Sequence, residues 1–302
     1  MLTRKARPSD QHAIASLLHR AQRRSPDLWP WESCLGEEGF VVIEEGQRIE
    51  GALLALADAS PVAWVRLAAL SRRLEIERWL DHSLPRVADH MAAAGAEKLA
   101  WLDYQEWAGR FLEKRGFAPA VRVLTLSKTD RVMPKVDAPH VVLRRPTEDD
   151  FVLLAGIDQR AFKPVWWRSE ASVRRRASTT SRFIIAETED GVAGYAEWEC
   201  AFFEGHINRL AVDPICQRMG IGTRLLQCAL EGLWDSGAEI VSLNTQESNR
   251  QSQCLYDRFN FRPTGDRVTV WALGLTGRSS IADEPQTALR QGRNQQKPHI
   301  AD

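Results

Sequence analysis

The chain has 302 residues, enough for two domains of ordinary size, each with its own core. Lysine plus arginine and aspartate plus glutamate both total 40, and this zero formal charge excludes a nucleic-acid-coating protein or a polybasic membrane binder. Five cysteines without C-x-x-C spacing, no apolar run near the roughly 20 residues of a membrane span, and a start, "MLTRKARPSD", without an apolar core predict a cytoplasmic protein with reduced thiols and no metal.

Taken from the start, the sequence writes one pattern twice. "RKARPSDQHAIASLLHRA" from Arg4 and "LRRPTEDDFVLLAGIDQRAF" from Leu143 both read as a short strand, then R-P-[ST], acidic capping residues and an amphipathic helix. Ile14, Leu17, Leu18 and Ala21 share a face in the first, and Leu153, Leu154, Ile157 and Phe162 in the second. "VRLAAL" from Val65 returns as "NRLAVD" from Asn208, and "LEKRGFAP" from Leu112 as "YDRFNFRP" from Tyr256. Three matches in one order imply a duplicated fold. The expected organisation is a first domain over residues 1–130, a linker over 131–140, a second domain over 141–275 and a disordered tail over 276–302.

In the second copy the periodicities predict strand 141–145, helices 150–162 and 169–178, and strands 182–187, 193–201 and 206–213. A glycine turn, helix 222–236, strand 239–244, helix 250–259 and a final strand pair over 262–273 follow. The fold class is α/β, a mixed and mostly antiparallel sheet flanked by helices in each copy, neither a doubly wound dinucleotide fold nor a barrel.

The turn is "PICQRMGIGTR" from Pro214 to Arg224. It fails as a dinucleotide fingerprint because Leu225 stands where a third glycine is needed, and as a Walker loop because no lysine follows. What remains is Gln217-x-x-Gly220-x-Gly222 opening a helix, where backbone N–H groups and the helix dipole suit a pyrophosphate. Downstream, "NRQSQCLYDRFNF" carries Asn249, Ser252, Leu255, Tyr256 and Phe261, with Asn260 where a left-handed residue is expected.

The two motifs together resemble the GNAT acetyltransferase superfamily, and the second copy is similar to N-acetyltransferases of the ribosomal-protein-alanine type. The resemblance covers nearly all of residues 141–273 with motifs, and the first copy by fold pattern alone. It implies two tandem GNAT-like domains and acetyl-CoA as co-substrate. Gln217, Arg218, Met219, Gly220, Ile221, Gly222 and Thr223 would meet the pyrophosphate, with Arg224 adding charge. The backbone of Leu210, Ala211 and Val212 would pair with the pantetheine arm. Asn249 would fix the cofactor or the helix start, and Tyr256 would protonate the leaving thiolate.

Acetylating an amine needs a base for the ammonium proton. Glu204, acting through water, is the first candidate, and His206 is the second because its ordinary pKa suits neutral pH. The segment "FKPVWWRSE", with Trp166 and Trp167, is where such enzymes choose their acceptor. The first copy lacks the chemistry: an offset of 143 sets Leu74, Glu77 and Trp79 at the glycine-loop positions, and 144 sets Gln105 and Leu112 at the asparagine and tyrosine. The expected activity is direct acetyl transfer to a primary amine, a peptide or protein N-terminal α-amine first and a small-molecule amine second. A non-catalytic acetyl-CoA sensor and a thiol-cofactor enzyme of the mycothiol-synthase kind are the alternatives. The sequence leaves the oligomeric state open.

Overall fold

The computed structural model describes residues 1–25, 30–135, 140–178 and 182–276. The expected tail, Thr276 apart, and part of the expected linker therefore lie outside the described residues. The first half runs β1 (Leu2–Lys5), α1 (Gln11–Arg20), β2 (Arg23–Arg24), β3 (Phe40–Glu45), β4 (Arg48–Ala59), β5 (Val62–Leu70), α2 (Ile76–Ala93), β6 (Lys98–Asp103), α3 (Gly109–Glu113) and β7 (Ala118–Lys128). The second runs β8 (Val142–Arg144), α4 (Asp150–Ala161), α5 (Glu170–Ala177), β9 (Arg182–Thr188), β10 (Gly191–Ala201), β11 (Glu204–Val212), α6 (Ile221–Asp235), β12 (Ile240–Gln246), α7 (Arg250–Arg258) and β13 (Arg262–Gly274). No described helix is long and apolar enough to cross a membrane.

The duplication is visible atom by atom at the start of each half. Arg4 donates through Nε to Glu44 at 2.9 Å and through both terminal nitrogens to Asp10 at 2.6 and 2.9 Å. Arg144 does the same to Glu187 at 2.7 Å and to Asp150 at 2.7 and 2.9 Å. Asp10 and Asp150, at the starts of α1 and α4, thus tie the first strand to the helix. On one face of each half-sheet lies the first helix, on the other the long one. Ile14, Leu17 and Leu18 pack over Phe40, Val42 and Leu54, while Trp79, Leu80 and Val87 of α2 cover the opposite side. Phe151, Leu154 and Ile157 of α4, and Leu226, Ala229, Leu230 and Leu233 of α6, repeat this division. Leu153, expected on the buried face of α4, is exposed and Phe151 takes its place, because the buried stripe runs through 150–151, 154–155 and 157–158 at helical spacing and 153 falls outside it.

The halves share one sheet, in the order β1-β3-β4-β5-β6-β13-β7-β12-β11-β10-β9-β8. Each half gives its last strand to the other. β13 pairs with β6 through Thr269–Gly274, and β7 pairs with β12 through Val123–Lys128, while β7 and β13 run antiparallel at the centre. The expected final strand pair is therefore one long strand, β13, with an irregularity between Pro263 and Arg267. Its pairing partners come from the first half, so no local hairpin is needed.

Candidate functional site

β11 is parallel to β12 only from Glu204–Ile240 to Ile207–Leu243, and beyond those pairs the strands part. The side of β11 facing β12 is thus left without a ladder partner through Leu210, Ala211 and Val212. An extended chain could add there as a strand does. The parting coincides with a bulge: Ile207 faces Trp198 and Arg209 faces Glu197, so Asn208 is the extra residue. The bulge resets the alternation. Glu204 and His206 come to lie on the α4 side together with Arg209 and Ala211, although simple period-two counting from Ala211 sends them to the opposite face.

At the far end of β11, Asp213 accepts from Ile215 N at 3.2 Å and from Arg160 at 2.9 and 2.5 Å, which turns the chain toward α6. Arg218 and Gly220 both take left-handed backbone, φ 66° and 81°, and Gly220 is the N-cap of α6. The latter is costly for a residue with a Cβ. The first i→i−4 bond runs from Arg224 N to Gly220 O, so the amides of Ile221, Gly222 and Thr223 lie ahead of the intrahelical ladder. A Cβ on Gly222 would come into ordinary contact with Leu255 and Val212 at 3.6 Å, so the turn packs against α7 and the end of β11. Gln217 is held by Gln251 of α7 at 3.0 Å, and Met219 O lies 3.1 Å from His140 Nε2. A left-handed turn with three amides ahead of the helix, beside an open strand edge, has the chemistry to receive an anion and is the candidate cradle.

α7 closes the other side. Asn249 caps it, its Oδ1 accepting from Ser252 N at 3.2 Å, so its place in the structure is the helix start. Tyr256 is 7 % exposed and packs edge-on to Phe261 at 5.9 Å. Burial pushes its phenol up to about 12, against a hydrogen bond from Ser252. It is therefore a neutral donor at pH 7. Asn260 ends the helix left-handed, φ 61°, as expected from its motif position.

His206 is half-buried, with Nδ1 2.8 Å from Ser242 Oγ. Ser242 spends its only proton on Gly205 O at 3.2 Å. With that proton on Gly205 O, Nδ1–H donates to Ser242 and Nε2 carries the lone pair, the tautomer a base at this position needs. Burial lowers the His206 pKa below its ordinary value, Arg176 adds to this, and Glu199 and Glu197 oppose it. Glu204 is exposed at the strand start, two positions farther from the bulge.

Sequence reasoning missed the polar floor of this site. Asp158, fully buried, accepts from Tyr195 Oη at 2.6 Å, from Arg209 at 2.8 and 2.7 Å, and from Arg168 N at 3.0 Å. Arg209 also donates to Trp166 O at 2.6 Å and stacks over the Phe162 ring at 3.6 Å. Glu197 is enclosed by Arg168 and Arg176, which outweigh burial and hold its carboxyl below the usual range. The available signal was an aspartate on an apolar helix face, which must find a partner when buried.

In the first half the same elements meet differently. α2 begins at Ile76 as α6 begins at Ile221, so Glu75, rather than the expected Glu77, stands in place of Gly220. The β5–β6 ladder ends at Trp64–Ala100. Beyond it, Trp79 of α2, Trp101 of β6 and Trp107 of the β6–α3 loop pack together, with centroids 6.1, 6.2 and 6.0 Å apart. A carboxylate replaces the cradle and three indoles occupy the elements that bound the wedge in the second half.

With this geometry in hand, comparisons identify its kin. Residues 154–261 match the model of the Acetyltransferase (GNAT) family. The chain is 26 % identical over 265 residues to a mycothiol acetyltransferase of Acidimicrobium ferrooxidans, covering 76 % of this chain and 84 % of that one. It is 23 % identical over 115 residues to a putative [ribosomal protein bS18]-alanine N-acetyltransferase of Bacillus subtilis, covering 38 % of this chain and 76 % of the relative. The fold is that of a tandem GNAT protein from the clavulanic acid biosynthesis pathway, with a TM-score of 0.65 at 15 % identity over 92 % of this chain and 99 % of the other.

Proposed function

We propose that this chain, which belongs to the GNAT family and is an N-acetyltransferase, uses its second half to move acetyl from acetyl-CoA directly onto a small-molecule primary amine related to mycothiol. The observation that carries the reading is the junction of a glycine anion cradle, an open strand edge, a buried tyrosine and a neutral histidine within the second half.

Acetyl-CoA supplies the activated acyl group, and the residues present fit it. The amides of Ile221, Gly222 and Thr223, with Arg218 and Arg224, would hold its pyrophosphate, and the free edge of Leu210, Ala211 and Val212 would pair with its pantetheine arm. His206 Nε2 takes the proton of the acceptor ammonium group, with Glu204 as a relay to solvent. Tyr256 donates to the departing sulfur. Full transfer from a phenol near 12 to a thiolate near 8.5 is uphill by about 3 to 4 pH units. Tyr256 therefore acts as a hydrogen-bond donor, and the proton that finally quenches the thiolate comes from the acceptor side.

The choice of acceptor rests on which relatives share the acceptor side. That side is built by both halves, since Trp64 of the first bonds to the α4–α5 segment of the second. The mycothiol acetyltransferase matches across both halves, whereas the bS18-alanine relative matches only about a third of the chain. The latter likeness supports peptide α-amines as the second reading. In this scheme residues 1–130 hold no cofactor and 141–275 hold the catalytic centre.

The test is a panel of small-molecule amines that carry a thiol, peptide N-termini, polyamines and aminoglycosides, with release of the CoA thiol as readout. Transfer to one class is expected, and Tyr256→Phe should lower its kcat about 10- to 100-fold, the worth of a hydrogen bond to a charged group. A wild type that binds acetyl-CoA tightly and acetylates nothing would favour a sensor, and an unchanged Tyr256→Phe would remove the donor role.

A further inference from the structure

The first half has lost the cradle, yet it touches the second at a place that matters. The segment joining α4 to α5 is pinned to it from two sides. Trp64 of β5 donates through Nε1 to Val165 O at 2.9 Å, and its ring lies against Trp166 at 5.4 Å and 36°. Asp58 of β4 accepts from Ser169 Oγ at 2.7 Å, and Ser169 is also the N-cap of α5, accepting from Ser172 N at 3.1 Å. Val165 and Trp166 pack on an apolar cluster whose buried members, Val62, Trp64, Ala100, Val123, Val268 and Val270, come from β5, β6, β7 and β13.

The inner side of the same segment holds the site floor. Trp166 O accepts from Arg209, the residue after the bulge, Arg168 N donates to Asp158, and the Arg168 side chain pairs with Glu197. α5, capped by the Ser169 that Asp58 holds, carries Arg176 against Glu197 and toward His206. A displacement at Trp64 or Asp58 is thus passed through one short segment to the groups around the base.

We infer that the first half is the specificity scaffold of the second, with Trp64 and Asp58 as positioning residues that fix the acceptor-side segment 163–169. This rests on the acetyltransferase reading above. It goes beyond that reading by assigning acceptor selection to residues outside the catalytic half. The class of acceptor is the small primary amine of that reading, chosen by the segment whose inner side already meets Arg209 beside the β11 bulge. Neither residue lies on the elements that form the anion cradle.

The experiment compares full-length wild type, Trp64→Phe and Asp58→Asn on the amine panel, with separate acetyl-CoA titration and amide hydrogen exchange over residues 162–170. Trp64→Phe keeps the stacking and deletes the bond to Val165 O. One hydrogen bond predicts a 3- to 10-fold rise in acceptor KM, with acetyl-CoA affinity unchanged and faster exchange confined to the segment. Asp58→Asn, which retains an acceptor for Ser169, should be closer to wild type than Asp58→Ala. Unchanged acceptor KM and exchange in an active Trp64→Phe enzyme would overturn the inference alone. Equal losses in acceptor and acetyl-CoA binding with a lowered Tm would overturn it in favour of a merely structural contact. A wild type inactive on the whole panel would overturn the acetyltransferase reading, and this inference with it.

Discussion

Neither residues 1–130 nor residues 131–302, produced alone, should give a cooperatively unfolding protein, whereas the two fragments expressed together should reassemble and bind acetyl-CoA. The reason is the exchange of final strands. In the first fragment β7 would have neither β12 nor β13 beside it, and β6, with Leu99, Ala100 and Trp101 buried in the whole chain, would become an open edge. In the second, β12 would lose β7, and β13 would keep no neighbour at all, because both of its partners are first-half strands. Unpaired apolar edges promote association rather than folding. Circular dichroism melts and acetyl-CoA titration of each fragment check this. A second fragment that melts cooperatively and binds like the whole chain would show that the exchanged strands are dispensable.

The largest catalytic effect is expected at His206. His206→Gln keeps a side chain able to donate to Ser242 but has no basic nitrogen. It should lower kcat/KM for the amine about 10²- to 10⁴-fold at pH 7, the usual range for a general base. Acetyl-CoA affinity should not change, since His206 lies before the point where β11 and β12 part and the cradle lies beyond it. The pH profile carries a second signature. The base works only when neutral, and burial with Arg176 lowers its pKa while Glu199 and Glu197 oppose. The acid limb of wild-type kcat/KM should therefore lie on the acid side of 6.5, with activity lost as pH falls through it, and the limb should vanish in His206→Gln. Glu204→Gln, at an exposed position, should cost only a few-fold. A large loss in Glu204→Gln with an active His206→Gln would exchange the two roles.

Much of this was legible in the residues. An arginine on the first strand and an aspartate six residues later, Arg4 with Asp10 and Arg144 with Asp150, write the same clasp twice, and Gly220 marks a backbone that goes left-handed. Asn249 caps α7 and Asn260 ends it left-handed, as their places in a helix motif imply. Other features were hidden for physical reasons. Alternation marks β7 and β13 as strands but says nothing about which edge each one joins, so the exchange is invisible. A bulge is one residue without a signature of its own, and Asn208 reverses the facing of everything before it on β11. Gaps of two residues moved Glu75 into the position that a constant offset gives to Glu77. The contact of Trp64 with Val165 joins residues 101 positions apart through a backbone carbonyl, which leaves no trace in side-chain type.

The proposed acetyl-CoA site is single and lies in the second half, because Glu75 and three packed tryptophans stand at the corresponding place in the first. Isothermal titration of the full chain with acetyl-CoA measures it directly. One site per chain, weakened in Gly220→Val by the penalty of a β-branched residue at positive φ, is the predicted result. Two sites per chain, or one that Gly220→Val leaves untouched, would contradict it.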